Sequence, residues 1–438
     1  MARCSSLSVL LLLTVSTSMS VSTFMATHVG DEAALLAFKA AAISGGYRDD
    51  PLASWNGSTG RYCSWEGVRC GGRDQQVVAL SLPSHGLTGV LSSAVGNLSS
   101  LRTLNLSFNR FSGDIPASLG RLHGLHALDL SHNAFSGQFP INLTSCINLK
   151  AIHLRFNQLQ GCVPSEIGDK LTGLRVLSLE NNNFTGVIPE SLGNLTALRA
   201  LSLAFNHLHG NIPSSLGDIT GIQYLALSFN SLSGELPFSL YNLSSLQELQ
   251  LQKNMLHGRI PADVGSRFPS MRTLGFSGNQ LTGSIPDSVS NLTTLQHLGL
   301  DDNRLSGHVP RTLGRLHALR HLDINSNMLE ADDRGGWEFI NSLSNCSQLQ
   351  RLFLYDNAAF RGELPSSIVN VSTTLQSLCL DGTGISGSIP SDIGNLVGLQ
   401  LLNVEHTSIS GVIPESIGNL GNLTDLYLSN TNLSGQIP

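Results

Sequence analysis

The chain has 438 residues, 41% of them hydrophobic and only 13% charged, with a formal net charge of −6. That charge density is about half the usual ~25% of globular proteins. With no block of like charges, it excludes the basic footprint of a nucleic-acid binder. A globular chain of this length would form two or three domains, a rule that a periodic chain escapes because its core grows lengthwise.

In chain order, residues 1–25 open with MARCSSLSVLLLLTVSTSMS: a lone Arg3, an apolar run from Leu7 to Val15, then small residues. This is the pattern of a cleaved secretory signal peptide, with processing around Ser18–Ala26. The run is too short to span a bilayer, and no later stretch reaches 18 apolar residues, so no membrane span is predicted. Residues 26–76 predict a cap. Asp31–Ser44 reads as a helix with Asp31 as N-cap and Leu35, Leu36, Phe38 and Ile43 on its apolar side. Trp55 and Trp65 follow, and Cys63 and Cys70 in YCSWEGVRC predict a disulfide. A zinc site is the poorer reading, since no other paired ligands accompany them.

From Val77 onward one pattern returns in phase. Blocks begin at Val77, Leu101, Leu125, Leu149, Leu174, Leu198, Ile222, Leu246, Met271, Leu295, Leu319, Leu349, Leu375, Leu399 and Leu423, fifteen in all and mostly 24 residues long. Self-similarity at such a period marks a solenoid, and LxxLxLxxN is the signature of the leucine-rich repeat. Within LxxLxL the apolar residues alternate as on a half-buried strand, so stacked turns make one parallel sheet with strands about 4.8 Å apart. An asparagine column (109, 133, 157, 182, 206, 230, 254, 279, 303, 327, 357) sits where the chain bends inward. A buried amide needs partners, and the predicted ones are backbone groups of the next coil. Gly-x-Ile-Pro then turns the chain, as in Gly113–Pro116.

The eleventh repeat spans 30 residues and contains NMLEADDRGGWEFINSLSNCSQL. Trp337, Ile340 and Leu343 predict a short amphipathic helix in an insertion at about residues 330–346. In the last three repeats Thr383, Thr407 and Thr431 replace the asparagine, with fewer donors. The sequence stops at Pro438 inside repeat fifteen, so the expectation is a fragment, a truncated product or a secreted form. Leu423, Leu426, Leu428, Leu433 and Ile437 are expected to show an open apolar face. Of the other cysteines, Cys146 and Cys346 share a phase eight coils apart and cannot pair. Both are expected to be buried; Cys162 and Cys379 are expected to be unpaired, with Cys379 exposed on the strand face.

The wording LLAFK…DPLASWN…YCSWEGVRC and the GxIP element resemble plant leucine-rich-repeat receptor kinases. The insertion is similar to that of the pattern-recognition subfamily, which includes the flagellin receptor and the rice bacterial-blight-resistance receptor. The resemblance implies an α/β solenoid: a plant-type leucine-rich-repeat superhelix with one parallel concave β-sheet, a helical N-terminal cap and, in this sequence, no C-terminal cap. It implies an immune-type receptor that binds a peptide or protein ligand on the concave face and recruits a co-receptor kinase ectodomain. The membrane helix and kinase would lie outside this sequence. It places the protein in the secretory pathway, at the cell surface as part of a longer receptor or otherwise secreted. The alternative is a secreted inhibitor of a microbial wall-degrading enzyme, resembling the polygalacturonase-inhibiting proteins, which are shorter and capped at both ends.

No GxxxxGK(S/T), HExxH, GxSxG, HRD or DFG run occurs, so no catalytic residue, metal or cofactor is predicted. Asn-x-Ser/Thr sequons stand at Asn56, Asn97, Asn105, Asn142, Asn183, Asn194, Asn242, Asn291, Asn345, Asn370, Asn422 and Asn432; Asn105 lies on the strand face, where a glycan would mask it. Phe108, Phe156, Phe205 and Phe229 share position eight with His132 and Lys253, reading either as edge packing or as a ligand-stacking stripe. Arg155 and Glu180 at position seven read as a surface ion pair.

The predicted ligand patch lies further on. His297, His321 and Arg351 share position three; Asp323 and Phe353 follow Gly275 and Gly299 at position five. Asp301, Tyr355, Asp381 and Glu405 share position seven, beside Asp302 and Asp356. Gly275, Gly278 and Gly299 are expected to leave a flat floor for a peptide backbone, with the acids favouring a basic peptide. The stacked histidines are expected to make affinity vary between about pH 5 and 7.

Overall fold

The computed structural model describes residues 30–43, 50–56, 62–71, 75–332 and 335–438. The signal-peptide expectation lies outside the described residues. Two compact units are distinguished: one runs to Leu171 and takes in Asn182–Val187, the other is Thr172–Asn181 with Ile188–Pro438.

In the first unit, helix Asp31–Ala42 buries Ala34, Leu35, Phe38 and Ala42. Gly30, not Asp31, occupies the N-cap. Asp31 sits in the first turn, where its carboxylate accepts a hydrogen bond from Val77 N at 2.7 Å and so ties the helix to the first repeat. Phe38 packs on Trp55 and Phe111, with ring centroids 5.8 and 6.0 Å apart, and Trp55 stacks on Trp65 at 5.4 Å. Lys39 closes the other side through Asp50, 2.7 Å away. Cys63 and Cys70 form a disulfide with Cα atoms 5.5 Å apart. The bridge ties the turn Tyr62–Ser64 to a strand, Val68–Gly71, that contains Cys70 and pairs antiparallel with Gln76–Ser81. Parallel pairing then continues through Thr103–Asn105, Ala127–Asp129 and Ala151–His153.

The second unit repeats the parallel pairing without a slip. Val176–Ser178, Ala200–Ser202, Tyr224–Ala226, Glu248–Gln250, Thr273–Gly275 and His297–Gly299 pair in order. His321–Asp323, Arg351–Phe353, Ser377–Cys379, Leu401–Asn403 and Asp425–Tyr427 continue the series. A second row of short parallel strands, among them His207–Asn211, Ser231–Glu235 and Met255–Arg259, follows the asparagine in each turn. The leucines between the rows are fully buried, as at Leu225, Leu249 (1% exposed) and Leu274. In the long repeat, helix Glu338–Leu343 buries Phe339, Ile340 and Leu343. Trp337 packs on Phe360 at 5.5 Å and donates its indole N–H to Arg361 O at 2.9 Å.

The asparagine column joins coil to coil, but toward the preceding coil rather than the next. Asn279 Nδ2 donates to Leu251 O one coil back and to Phe276 O in its own coil, each at 3.0 Å; its Oδ1 accepts from Leu256 N, again one coil back, at 3.0 Å. Asn109, Asn133 and Asn157 repeat the arrangement in the first unit. Thr383, Thr407 and Thr431 donate only within their own coils, to Leu380, Val404 and Leu428 at 2.6, 2.7 and 2.9 Å. Phe360 N, which an asparagine at 383 would receive, turns to Asn357 O at 2.9 Å.

The residue before each asparagine is left-handed: φ is 56° at Phe108, 55° at His132, 52° at Phe205, 55° at Lys253 and 53° at Asp302. This conformation, costly for an L-residue, sends the side chain along the stacking direction. Phe108, His132 and Phe156 therefore stack face to face at 4.1 and 4.3 Å, and Phe205 stacks on Phe229 at 4.2 Å. The rings cover one another, leaving edges exposed.

Cys146 and Cys346 are fully buried. Cys162, expected to be unpaired, is disulfide-bonded. Cys379 is buried rather than exposed, in register between Phe353 and Asn403 on the neighbouring strands. Leu426 and Ile437 are 40% and 87% exposed.

Truncating Asn279 strands two carbonyls and one N–H, so Asn279→Ala is expected to cost about 2–4 kcal/mol, against about 1 kcal/mol for Thr383→Ala. Calorimetric melts of the two variants check this; equal losses would contradict the inter-coil role.

Candidate functional site

The outward positions of the second unit's sheet, from Thr273 to Tyr427, hold every residue of the predicted patch. Strand register places His297 beside His321 and His321 beside Arg351, Gly299 beside Asp323 and Asp323 beside Phe353. Glu405 is four strands from Asp301, about 19 Å at the usual strand spacing. The predicted residues therefore form a strip of local groups rather than one pocket.

The histidines stack with ring centroids 4.4 Å apart, and Thr273 Oγ1 lies 3.4 Å from His297 Nδ1. Burial lowers the His297 pKa, with the Arg320 and Arg351 charges adding to it and Glu248 opposing. His321 is lowered to about 4, first by burial and then by the charges of His297, Arg351 and Arg320, against a hydrogen bond that the ring donates to Gln350. His321 is therefore neutral between pH 5 and 7 and does not titrate in the expected window, and His297 is shifted in the same direction.

The group that does is Asp323. Burial raises its pKa to about 6, against the Arg351 charge and with Asp301 adding to the rise. Its Oδ1 is buried with no hydrogen-bond partner, and Oδ2 is 3.9 Å from Arg351 Nη1. The Arg351 guanidinium also lies 5.1 Å from the Phe353 ring centre, as a cation does over an aromatic face. Asp301 accepts a hydrogen bond from the Ser277 hydroxyl. Burial likewise raises Asp381, which faces Asp356 and Glu405, and raises Tyr355, which faces Asp301 and Asp381. Glu405 accepts from Ser429.

The glycine floor is not open. A Cβ on Gly275 would meet the Gln252 amide, and one on Gly278 would lie 2.5 Å from Lys253 Cδ. Lys253 reaches across Gly278 to Asp302 two coils on, 2.7 Å away. Gln252, Lys253, Ser277 and Ser429 were missed because repeat phase tells which way a residue faces, not how far its side chain leans along the stack. A hollow of about 270 Å³ lies beside the Phe205–Phe229 stack, lined by Glu180, Tyr224 and Gln250 and, on the side of the strip, by Gln252, Lys253 and Ser277.

Among the sequons, Asn97 and Asn105 are half-buried and the rest exposed. Asn105 Oδ1 accepts from Ser107 N and Oγ at 3.0 and 2.8 Å. Among the described residues, no helix is long and apolar enough to cross a membrane.

The sequence matches the family described as leucine-rich repeat region over residues 76–234 and 209–386, and the leucine-rich-repeat N-terminal domain over 29–71. The chain therefore belongs to the leucine-rich-repeat family. Among curated proteins it is similar to the receptor kinase-like protein Xa21 of Oryza sativa subsp. japonica, 48% identical over 89 residues. That match covers 20% of this chain and 8% of Xa21. Among solved structures it resembles the plant peptide hormone receptor RGFR1 in complex with RGF2, with a TM-score of 0.72 and 32% identity over 86% of this chain and 62% of that one. It also resembles the Arabidopsis receptor kinase HAESA in complex with the peptide hormone IDA and the co-receptor SERK1. There the TM-score is 0.60 and the identity 28%, over 93% of this chain and 83% of that one.

The raised Asp323 pKa fixes a sign. The folded state holds the proton to higher pH than the unfolded chain does, so this group's contribution is full below about pH 4 and is lost as pH rises through about 6. Asp323→Asn is therefore expected to stabilise the protein at pH 7.5 by on the order of 1–2 kcal/mol, the gap closing toward pH 4. Paired thermal melts from pH 4 to 8 test it; a gap that does not change with pH contradicts it.

Proposed function

We propose that the chain is the extracellular recognition segment of a plant immune-type receptor kinase of the pattern-recognition subfamily. It enters the secretory pathway, carries N-linked glycans, and holds an extended basic peptide on the strip between Thr273 and Tyr427. The observation that carries the reading is the run of Asp301, Asp323, Asp356, Asp381 and Glu405 along one outward sheet face, opposed there by Arg351. Such a face selects cationic ligands by complementarity and steers their approach. Peptide complexes of RGFR1 and HAESA support the ligand class. The HAESA complex with SERK1 supports recruitment of a second receptor's ectodomain once the peptide is bound. Signalling would belong to a kinase outside this sequence.

Affinity for the peptide Ac-Gly-Arg-Gly-Arg-Gly-NH2 and for its glutamate counterpart tests the reading by calorimetry. The basic peptide is expected to bind the parent and to lose at least tenfold in Asp301→Ala/Asp323→Ala/Asp356→Ala. Unchanged affinity removes the patch. Affinity is expected to rise from pH 5 to 7 as Asp323 ionises, between Arg351, Asp301, His297 and the neutral His321. The rise should persist in His321→Ala and vanish in Asp323→Asn; a rise that depends on His321 refutes the assignment.

A further inference from the structure

Gly278 stands where other coils carry large side chains. The same position takes Phe205, Phe229, Lys253, Asp302, Ser326 and Asp356 at φ between 52° and 55°, against 65° at Gly278. The left-handed backbone therefore does not demand glycine at this point. What glycine supplies is room for the lysine: a Cβ would lie 2.5 Å from Lys253 Cδ and 3.0 Å from its Cε and Nζ, and would push this flexible end aside. Glycine lets Lys253 lie flat across one coil and place its ammonium on Asp302 in the next, at 2.7 Å.

Gln252, the neighbour of Lys253, covers Gly275 in the same way and is fixed by a hydrogen bond from Ser228. Two consecutive side chains of one coil thus close most of the glycine floor, while above Gly299 the nearest groups are Ser277 Oγ and Asp301. The tether is a weak one. The Lys253 and Asp302 side chains are 51% and 60% exposed, and such pairs are screened by water and salt. A lysine ammonium on a four-carbon stem forms no fixed fork with a carboxylate, so a guanidinium, which can bind both oxygens, outcompetes it.

We propose that Lys253 is a resident cation, held on Asp302 in the free protein and exchanged for an arginine side chain of a bound peptide, whose backbone then runs over Gly278. The inference rests on the peptide-recognition reading above and adds to it the ligand's own chemistry at this point: a guanidinium at Asp302 flanked by residues small enough to lie on glycine.

The test compares Ac-Gly-Arg-Gly-Arg-Gly-NH2 binding to the parent, Lys253→Ala and Lys253→Ala/Asp302→Asn. Removing the competing ammonium is expected to tighten binding about three- to fivefold. The gain should disappear in the double variant. Equal affinity in the parent and Lys253→Ala overturns the exchange. If the triple aspartate variant still loses binding in that case, the recognition face stands and only the tether falls; equal binding by all variants removes both. A ligand-free arm uses Gly278→Ala, whose methyl stands in the path of Lys253. Its melting temperature is expected to move by only a few degrees, while reductive methylation of Lys253 speeds up severalfold. An unchanged methylation rate shows that no tether holds the ammonium, and overturns the proposal.

Discussion

The coils from Leu101 to Leu349 each depend on one inward-turned carboxamide. Leucines supply most of the stabilisation, but apolar burial is non-directional and fixes neither the register nor the spacing of one coil on the next. The amide of Asn279 does both, because its two donors and its acceptor are all committed, one coil back and within its own coil. A carboxylate of the same shape would set its charge against two carbonyls. The preceding residue is left-handed in coil after coil, where the chain turns to send the amide inward. That conformation aims the preceding side chain along the stack. The face-to-face rings of Phe205 and Phe229 and the reach of Lys253 to Asp302 are thus by-products of satisfying an asparagine.

On the outward face, desolvation outweighs local charge. Side chains on adjacent strands stand close enough to exclude water from one another even where nothing covers the sheet. His321 is lowered by burial first, with the positive charges around it adding, and Asp323, beside an arginine, is raised by burial first. The strip is therefore less charged at mildly acid pH than its composition suggests. The group that responds there is an acid, so the response to protons has the opposite sense from a histidine switch as regards a cationic ligand.

Much of this was legible in the sequence. The leucine period gave the strand phase, the asparagine column and the apolar face of the helix in the long repeat, because each is a contact repeated within one coil or between neighbours at fixed spacing. Reasoning from phase failed where a contact departs from the period. The antiparallel strand Val68–Gly71 and the use of Asp31 to hold Val77 N belong to the aperiodic cap. Phase placed Cys379 on the strand face and so predicted it exposed, yet it is buried. The glycine floor was read as open because phase gives direction without reach, and Lys253 acts two coils away.

The threonines at 383, 407 and 431 bear on how the stack comes apart. A solenoid behaves as a one-dimensional chain whose cooperativity resides in its nearest-neighbour couplings. Where asparagine is present, each interface carries a specific polar coupling on top of leucine packing. Where threonine replaces it, the bond turns inward and that coupling drops out while the coil itself remains intact. The correlation length of folding is therefore shorter from Leu375 onward than before it. Coils there open more nearly one at a time, which places the most easily remodelled part of the stack beside Asp381 and Glu405.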